Sequence, residues 1–131
     1  MNRILIQLIC CFVIAAFCAC TNESINPPIS DDSYYFVKYV YEPETANTVS
    51  TQIEYTDERG QFVEDHGGRA SKSFLMGPVK KGYTAKIRFN CPYQYIHIAC
   101  SIEISENGGP YTRRATTGKT TRNGSTSYRI N

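Results

Sequence analysis

IHIACSIEI, residues 96–104, places Ile96, Ile98, Cys100, Ile102 and Ile104 on every second position. His97, Ala99, Ser101 and Glu103 fill the gaps. A period of two marks a strand with one buried face, and β-branched isoleucine suits a pleated surface. Just upstream, 83–91 (YTAKIRFNC) alternates in the same way. Ala85, Ile87, Phe89 and Cys91 share one face, against Lys86, Arg88 and Asn90 on the other. Further back, 33–42 (SYYFVKYVYE) sets Tyr35, Val37, Tyr39 and Tyr41 against Tyr34, Phe36, Lys38 and Val40. In 47–56 (NTVSTQIEYT) Val49, Thr51, Ile53 and Tyr55 alternate with polar neighbours.

Turn residues punctuate these runs. Asp57-Glu58-Arg59-Gly60 is a turn, because Gly60 adopts positive φ without strain. A short strand returns over 61–64, and Asp65-His66-Gly67-Gly68 breaks it. The next strand, 72–76, is expected to end at Gly77-Pro78, and Lys80-Lys81-Gly82 turns the chain again. Pro92-Tyr93-Gln94-Tyr95 reads as a hairpin turn between 83–91 and 96–104. Glu106-Asn107-Gly108-Gly109-Pro110 is the clearest turn of all. Weaker strands at 111–117 and 125–130 close the chain, and no segment has a sustained helical period. Seven or eight short strands at this spacing predict an all-β domain over 33–131, a small antiparallel β-sandwich of immunoglobulin-like type. A closed barrel is the other arrangement. Short strands with polar ends, suited to sheet edges, favour the sandwich.

The remaining residues are of a different kind. Residues 1–20, MNRILIQLICCFVIAAFCAC, hold four of the six cysteines and one charge, Arg3. A short basic start followed by an apolar run reads as a secretory signal peptide, residues 1–19. A membrane-spanning helix needs about 20 apolar residues, and this run is shorter and interrupted by Gln7. Phe17-Cys18-Ala19-Cys20 resembles a lipobox of the loose kind found in Bacteroidetes-type lipoproteins. That resemblance implies acylation of Cys20, which becomes the new N-terminus. Each buried methylene of such an anchor adds about 0.8 kcal/mol of membrane binding. Thr21 to Asp32 (TNESINPPISDD) is then a polar tether with nothing to bury. The expected organisation is signal peptide 1–19, lipidated cysteine and tether 20–32, and sandwich 33–131, held on an envelope membrane.

The order of fragments in the domain is similar to that of the MmpS-type small periplasmic domains. The matching pieces are Ile53, Tyr55, Thr56, Asp57 and Gly60; Ser71, Lys72 and Phe74; Lys81 and Gly82; and Cys100, Ile102 and Gly108. The resemblance covers about residues 35–120. It implies a β-sandwich and an accessory role beside large lipid and siderophore exporters. Two features depart from that family: the anchor reads as lipidated rather than transmembrane, and the second, C-terminal cysteine is missing.

The chain carries 14 Lys and Arg against 12 Asp and Glu, a formal net charge of +2. That balance makes no case for nucleic acid. Asp57, Glu58, Glu64, Asp65 and His66 put carboxylates and an imidazole around one hairpin, but their spacing fits no calcium loop, so no metal is expected. Of the two histidines, His97 lies on the polar parity of its strand beside Tyr95. Serines are scattered without a Gly-x-Ser-x-Gly elbow, so neither a catalytic set nor a cofactor is expected. Ten tyrosines and no tryptophan read mainly as strand formers, except Tyr93 and Tyr95, which a turn exposes. Residues 107–131 carry Arg113, Arg114, Lys119, Arg122 and Arg129 with no acid. Arg113 and Arg114 could meet anionic head groups, against the plainer reading of a solvated edge hairpin. Tyr93, Tyr95, His97, Arg113 and Arg114 are thus the candidate contact residues.

Cys91 and Cys100 face the core by parity. Across the expected 92–95 hairpin their sulfurs lie roughly 13 Å apart along the ladder. A disulfide spans a Cα separation of only about 4.4–6.8 Å, so two free thiols are expected. The leading functional reading is a non-catalytic envelope lipoprotein that binds or scaffolds an envelope protein, as an accessory to transport. A second is a surface lipoprotein that captures carbohydrate or peptide. A third, a small hydrolase, would need a pocket with converging polar groups.

Overall fold

A computed structural model describes residues 32–44, 50–93 and 96–131. Its strands are β1 (Tyr35–Pro43), β2 (Thr51–Thr56), β3 (Phe62–Gly67), β4 (Lys72–Val79), β5 (Thr84–Asn90), β6 (Ile98–Glu106), β7 (Thr112–Thr116) and β8 (Asn123–Arg129). They form two four-stranded antiparallel sheets, ordered β4-β1-β6-β7 and β3-β2-β5-β8. The described residues contain no helix. This is the small antiparallel β-sandwich that the alternation predicts.

The core lies between the sheets and is built from the inward parity of the central strands. β1 contributes Tyr35, Val37, Tyr39 and Tyr41; β5 contributes Ala85, Ile87 and Phe89; β6 contributes Ile98, Cys100, Ile102 and Ile104. Each fully buried isoleucine contributes about 1.5–3 kcal/mol relative to exposure. The core tyrosines keep their hydroxyls bonded. Tyr39 donates to the Thr56 carbonyl at 2.9 Å and lies 2.8 Å from Thr56 Oγ1. Burial pushes its phenol well above the usual range. A buried phenol without such partners would be strongly unfavourable.

Two turns follow the residue chemistry closely. At 57–60, Asp57 Oδ1 accepts the backbone N–H groups of Arg59 and Gln61, and Gly60 has φ 77°. At the β6–β7 hairpin, Asn107 and Gly108 take φ 50° and 75°, the pair of positive values that a type I′ turn requires.

Four expectations need correction. The first break, at 65–68, is not one: β3 runs through to Gly67, which pairs with Thr51. Gly67 is there for space, since a Cβ would sit 2.7 Å from both Ile53 Cδ1 and Tyr41 Cζ. Nor does β4 end at Gly77-Pro78. It continues to Val79 through a bulge, in which Tyr35 pairs with Val79 and Val37 with Met76. At Gly77 φ is 123°, and a Cβ would lie 2.8 Å from the Tyr35 carbonyl oxygen, so the bulge needs glycine.

The other two concern pairing. Residues 91–97 do not close a hairpin, because β5 is already flanked by β2 and β8, and β6 by β1 and β7. The segment crosses from one sheet to the other. Likewise β7 and β8 are edges of opposite sheets, so the basic C-terminal stretch is not an edge hairpin.

Successive strands alternate in direction, so the connections fall at two ends. The chain enters β1 at one end, together with the turns at 57–60, 80–83 and 106–109. Ile130 also lies there, its carbonyl accepting from Gly82 N at 2.7 Å. The opposite end carries the connections after β1, β3, β5 and β7. The nine residues of β1 separate the two ends by roughly 30 Å at the strand rise.

Candidate functional site

The far end gathers several of the candidate side chains. Tyr93 and His97 both sit on the β5–β6 crossover and are exposed. Tyr95, on the same segment, lies outside the described residues, as does Cys20. His97 Nδ1 is 3.0 Å from Glu44 Oε2, and Lys119 Nζ is 2.8 Å from Glu44 Oε1. Lys119, and behind it His97, holds the Glu44 carboxyl below the usual carboxylate range. The backbone locks the same corner, with Glu44 N donating to the His97 carbonyl at 2.8 Å.

Arg113 and Arg114 lie on the edge strand β7 rather than on the crossover. Arg113 Nη2 is 3.8 Å from Glu42 Oε2 and 3.9 Å from Glu103 Oε1. Glu103 also takes Lys38 at 2.9 Å. Acids of β1 and β6 therefore stand beside Arg113, and Glu44 beside Lys119. Arg114 is exposed. The structure thus brings Tyr93 and His97 together on one segment and leaves Arg113 and Arg114 on another strand.

The acidic groups around the β2–β3 hairpin are dispersed. Asp57 is committed to its own turn, Asp65 lies 3.3 Å from Lys72 Nζ, and Glu64 lies 3.5 Å from His66 Nε2. Each answers a different neighbour. Among the described residues, no hydrogen bond joins either histidine ring to a hydroxyl or thiol.

Both cysteines in the domain are free and buried, although the hairpin that suggested this does not exist. Cys91 follows β5 in one sheet and Cys100 lies on β6 in the other. Burial pushes the Cys100 thiol up to about 12, with Glu42 adding to the shift. A thiol so raised is protonated and inert at neutral pH.

A second surface emerges from the pairing order rather than from any motif. On the outer face of the β3-β2-β5-β8 sheet, cross-strand pairs line up His66, Gln52, Asn90 and Asn123 in one row. The adjoining row is Glu64, Glu54, Arg88 and Ser125. Between them lies a groove of about 370 Å³, lined by members of both rows and by the cross-strand pair Phe89 and Gly124. Arg88 grips Glu54 with two bonds, Nε to Oε2 at 2.6 Å and Nη2 to Oε1 at 2.9 Å. That grip holds the Glu54 carboxyl below its ordinary range. The exposed Phe62 ring lies 4.2 Å from the Arg88 guanidinium carbon, in cation–π contact.

Residue-by-residue reading missed this groove. The alternation correctly put Arg88 and Asn90 on an outward face. It carried no information that β2 and β8 would flank β5 and place Gln52 and Asn123 beside them. No protein-family model matches this chain, and no curated protein is significantly similar to it.

Proposed function

We propose that this protein is a lipid-anchored envelope protein whose sandwich binds or scaffolds a partner at the end away from its anchor. The reading joins two parts. The Ala19-Cys20 site resembles a lipoprotein cleavage and acylation site, and the 21–32 tether leads into β1. The observation that carries the proposal is strand alternation, which puts the start of β1 at one end and the Tyr93–His97 crossover at the other. Tyr93 and His97 then lie at the end of the domain away from the residues where the tether joins it.

A non-catalytic role is supported by the state of the polar groups. Among the described residues no hydroxyl or thiol is bonded to either histidine ring, and the Tyr39 and Tyr41 hydroxyls are spent on threonine and backbone oxygens. The likeness to MmpS-type domains suggests that the partner belongs to an envelope transport system. Site-specific photo-cross-linking in intact cells tests this. A benzophenone side chain at position 93 is expected to capture one discrete envelope protein, while the same group at position 81, on the tether side, captures none. No adduct from position 93, or the same adducts from both positions, would refute the arrangement.

A further inference from the structure

The groove on the β3-β2-β5-β8 face has a chemistry of its own, independent of how the chain is anchored. Three carboxamide side chains, Gln52, Asn90 and Asn123, stand in one cross-strand row on three neighbouring strands. Among the described residues, none of the three side-chain amides has a hydrogen-bond partner within the protein. Each offers an acceptor oxygen and two N–H donors. Neighbouring strands are about 4.8 Å apart, so the row is a ladder of neutral donor–acceptor pairs.

The charges beside that ladder cancel. Arg88 and Glu54 satisfy each other in a bidentate pair, so the groove presents neither a free cation nor a free anion. A phosphate or carboxylate ligand would have to break that pair to gain a counter-charge. A ligand rich in neutral hydroxyls would not. Hydroxyls are both donors and acceptors, which is what a carboxamide row matches on both counts. Beyond the Arg88–Glu54 pair, outside the groove lining, the Phe62 ring rests on Arg88 and is 44% exposed. Such a ring face can pack against the C–H face of a sugar.

From these features we infer that the groove binds a neutral oligosaccharide. The amides of Gln52, Asn90 and Asn123 engage sugar hydroxyls, and Phe62 stacks on an adjacent ring. The Arg88–Glu54 pair stays intact and adds outward-facing lone pairs and N–H groups at the groove wall. The site lies toward the end of the sandwich away from the start of β1, on the flank of a sheet rather than on a loop, so strand pairing fixes the backbone positions from which the three amides project.

The test is a titration of the full-length protein in detergent, followed by nuclear magnetic resonance of its side-chain NH₂ groups. The probes are neutral hexasaccharides of glucose, mannose, galactose and xylose, a sulfated hexasaccharide and a mixture of unstructured decapeptides. At least one neutral hexasaccharide is expected to shift the Gln52, Asn90 and Asn123 NH₂ signals together. Asn90→Ala is then expected to weaken that binding about tenfold, the effect of losing a hydrogen-bonding group at the centre of the row. Asn90→Ala changes one exposed side chain, and an unchanged backbone spectrum confirms that it folds. Phe62→Ala supplies a second variant, with weaker binding expected again. The inference is overturned if no neutral hexasaccharide moves those signals at millimolar concentration. A stronger response to the sulfated probe or to the peptides would also overturn it, as would binding unaffected by Asn90→Ala.

Discussion

Replacing Thr56 with valine keeps the shape of the side chain and removes one oxygen that joins three elements. Thr56 ends β2 and is 1% exposed. Its Oγ1 accepts the Lys86 backbone N–H at 3.0 Å, lies 3.0 Å from the Tyr83 hydroxyl and 2.8 Å from that of Tyr39. After the change both tyrosines keep the Thr56 carbonyl, at 2.9 and 3.1 Å, and Tyr83 keeps the Asp57 carbonyl at 2.7 Å. The Lys86 N–H has no such alternative. An unsatisfied, partly buried donor costs about 1–3 kcal/mol, and a lost bond between neutral groups about 0.5–1.5. The new methyl offsets about 0.8 kcal/mol through burial. A net destabilisation of about 2 kcal/mol follows.

The assay is urea unfolding of the Cys20→Ala form. With a slope of about 1–2 kcal/mol per molar, the midpoint falls by roughly 1–2 M. Thr51→Val is the internal control. Thr51 is equally buried, but its Oγ1 takes a single long bond, 3.3 Å from the Tyr41 hydroxyl, which also reaches the Gly68 carbonyl. That variant is expected to lose under about 1 kcal/mol. Equal midpoints for the two variants would refute the reasoning, since both remove a buried threonine hydroxyl and differ in what it holds.

Three further outcomes follow from the packing. Gly67→Ala pushes a methyl to within 2.7 Å of Ile53 and Tyr41, and is expected to destabilise by about 1–3 kcal/mol in the same urea assay. A loss below about half a kcal/mol would show that the Tyr41 ring has room to move. Iodoacetamide at pH 8 is expected to leave Cys91 and Cys100 unmodified in the folded domain and to label both after unfolding, read by mass spectrometry. Burial raises the phenols of Tyr39 and Tyr41 above their unfolded value of about 10. Folded and unfolded forms then bind equal protons below about pH 10; above it the unfolded chain gives up protons first, so stability falls as pH rises. Tyr39→Phe should flatten that decline between pH 10 and 11, and an unaltered slope would remove Tyr39 as its cause.

How much could be read beforehand differs between faces and pairings. Parity alone grouped Tyr35, Val37, Tyr39 and Tyr41 on one face, without saying which face is buried, and marked Ile98, Cys100, Ile102 and Ile104 as an apolar stripe, because alternation is a local property of the strand. The turns at Asp57–Gly60 and Asn107–Gly108 were legible for the same reason: each is closed by its own residues. Pairing partners were not. Nothing in Pro92-Tyr93-Gln94-Tyr95 distinguishes a hairpin from a crossover, because the choice depends on which strands already occupy both edges of β5 and β6. Gly67 and Gly77 were read as breakers, whereas Gly67 serves a close approach inside a strand and Gly77 a bulge. The amide row is invisible for the pairing reason, since Gln52, Asn90 and Asn123 are far apart in the chain and meet only in sheet order. The counter-charges of Arg113, Glu42 and Glu103, were invisible for the same reason, since they come from other strands.

Under the proposed function, the domain is held at the membrane through Cys20. Metabolic labelling with radioactive palmitate, followed by fractionation of wild-type and Cys20→Ala cells, addresses it most directly. The account predicts labelled wild-type protein in the membrane fraction, and an unlabelled Cys20→Ala protein released to the soluble fraction. Label retained by the Cys20→Ala protein, or an unlabelled wild-type protein, would contradict it.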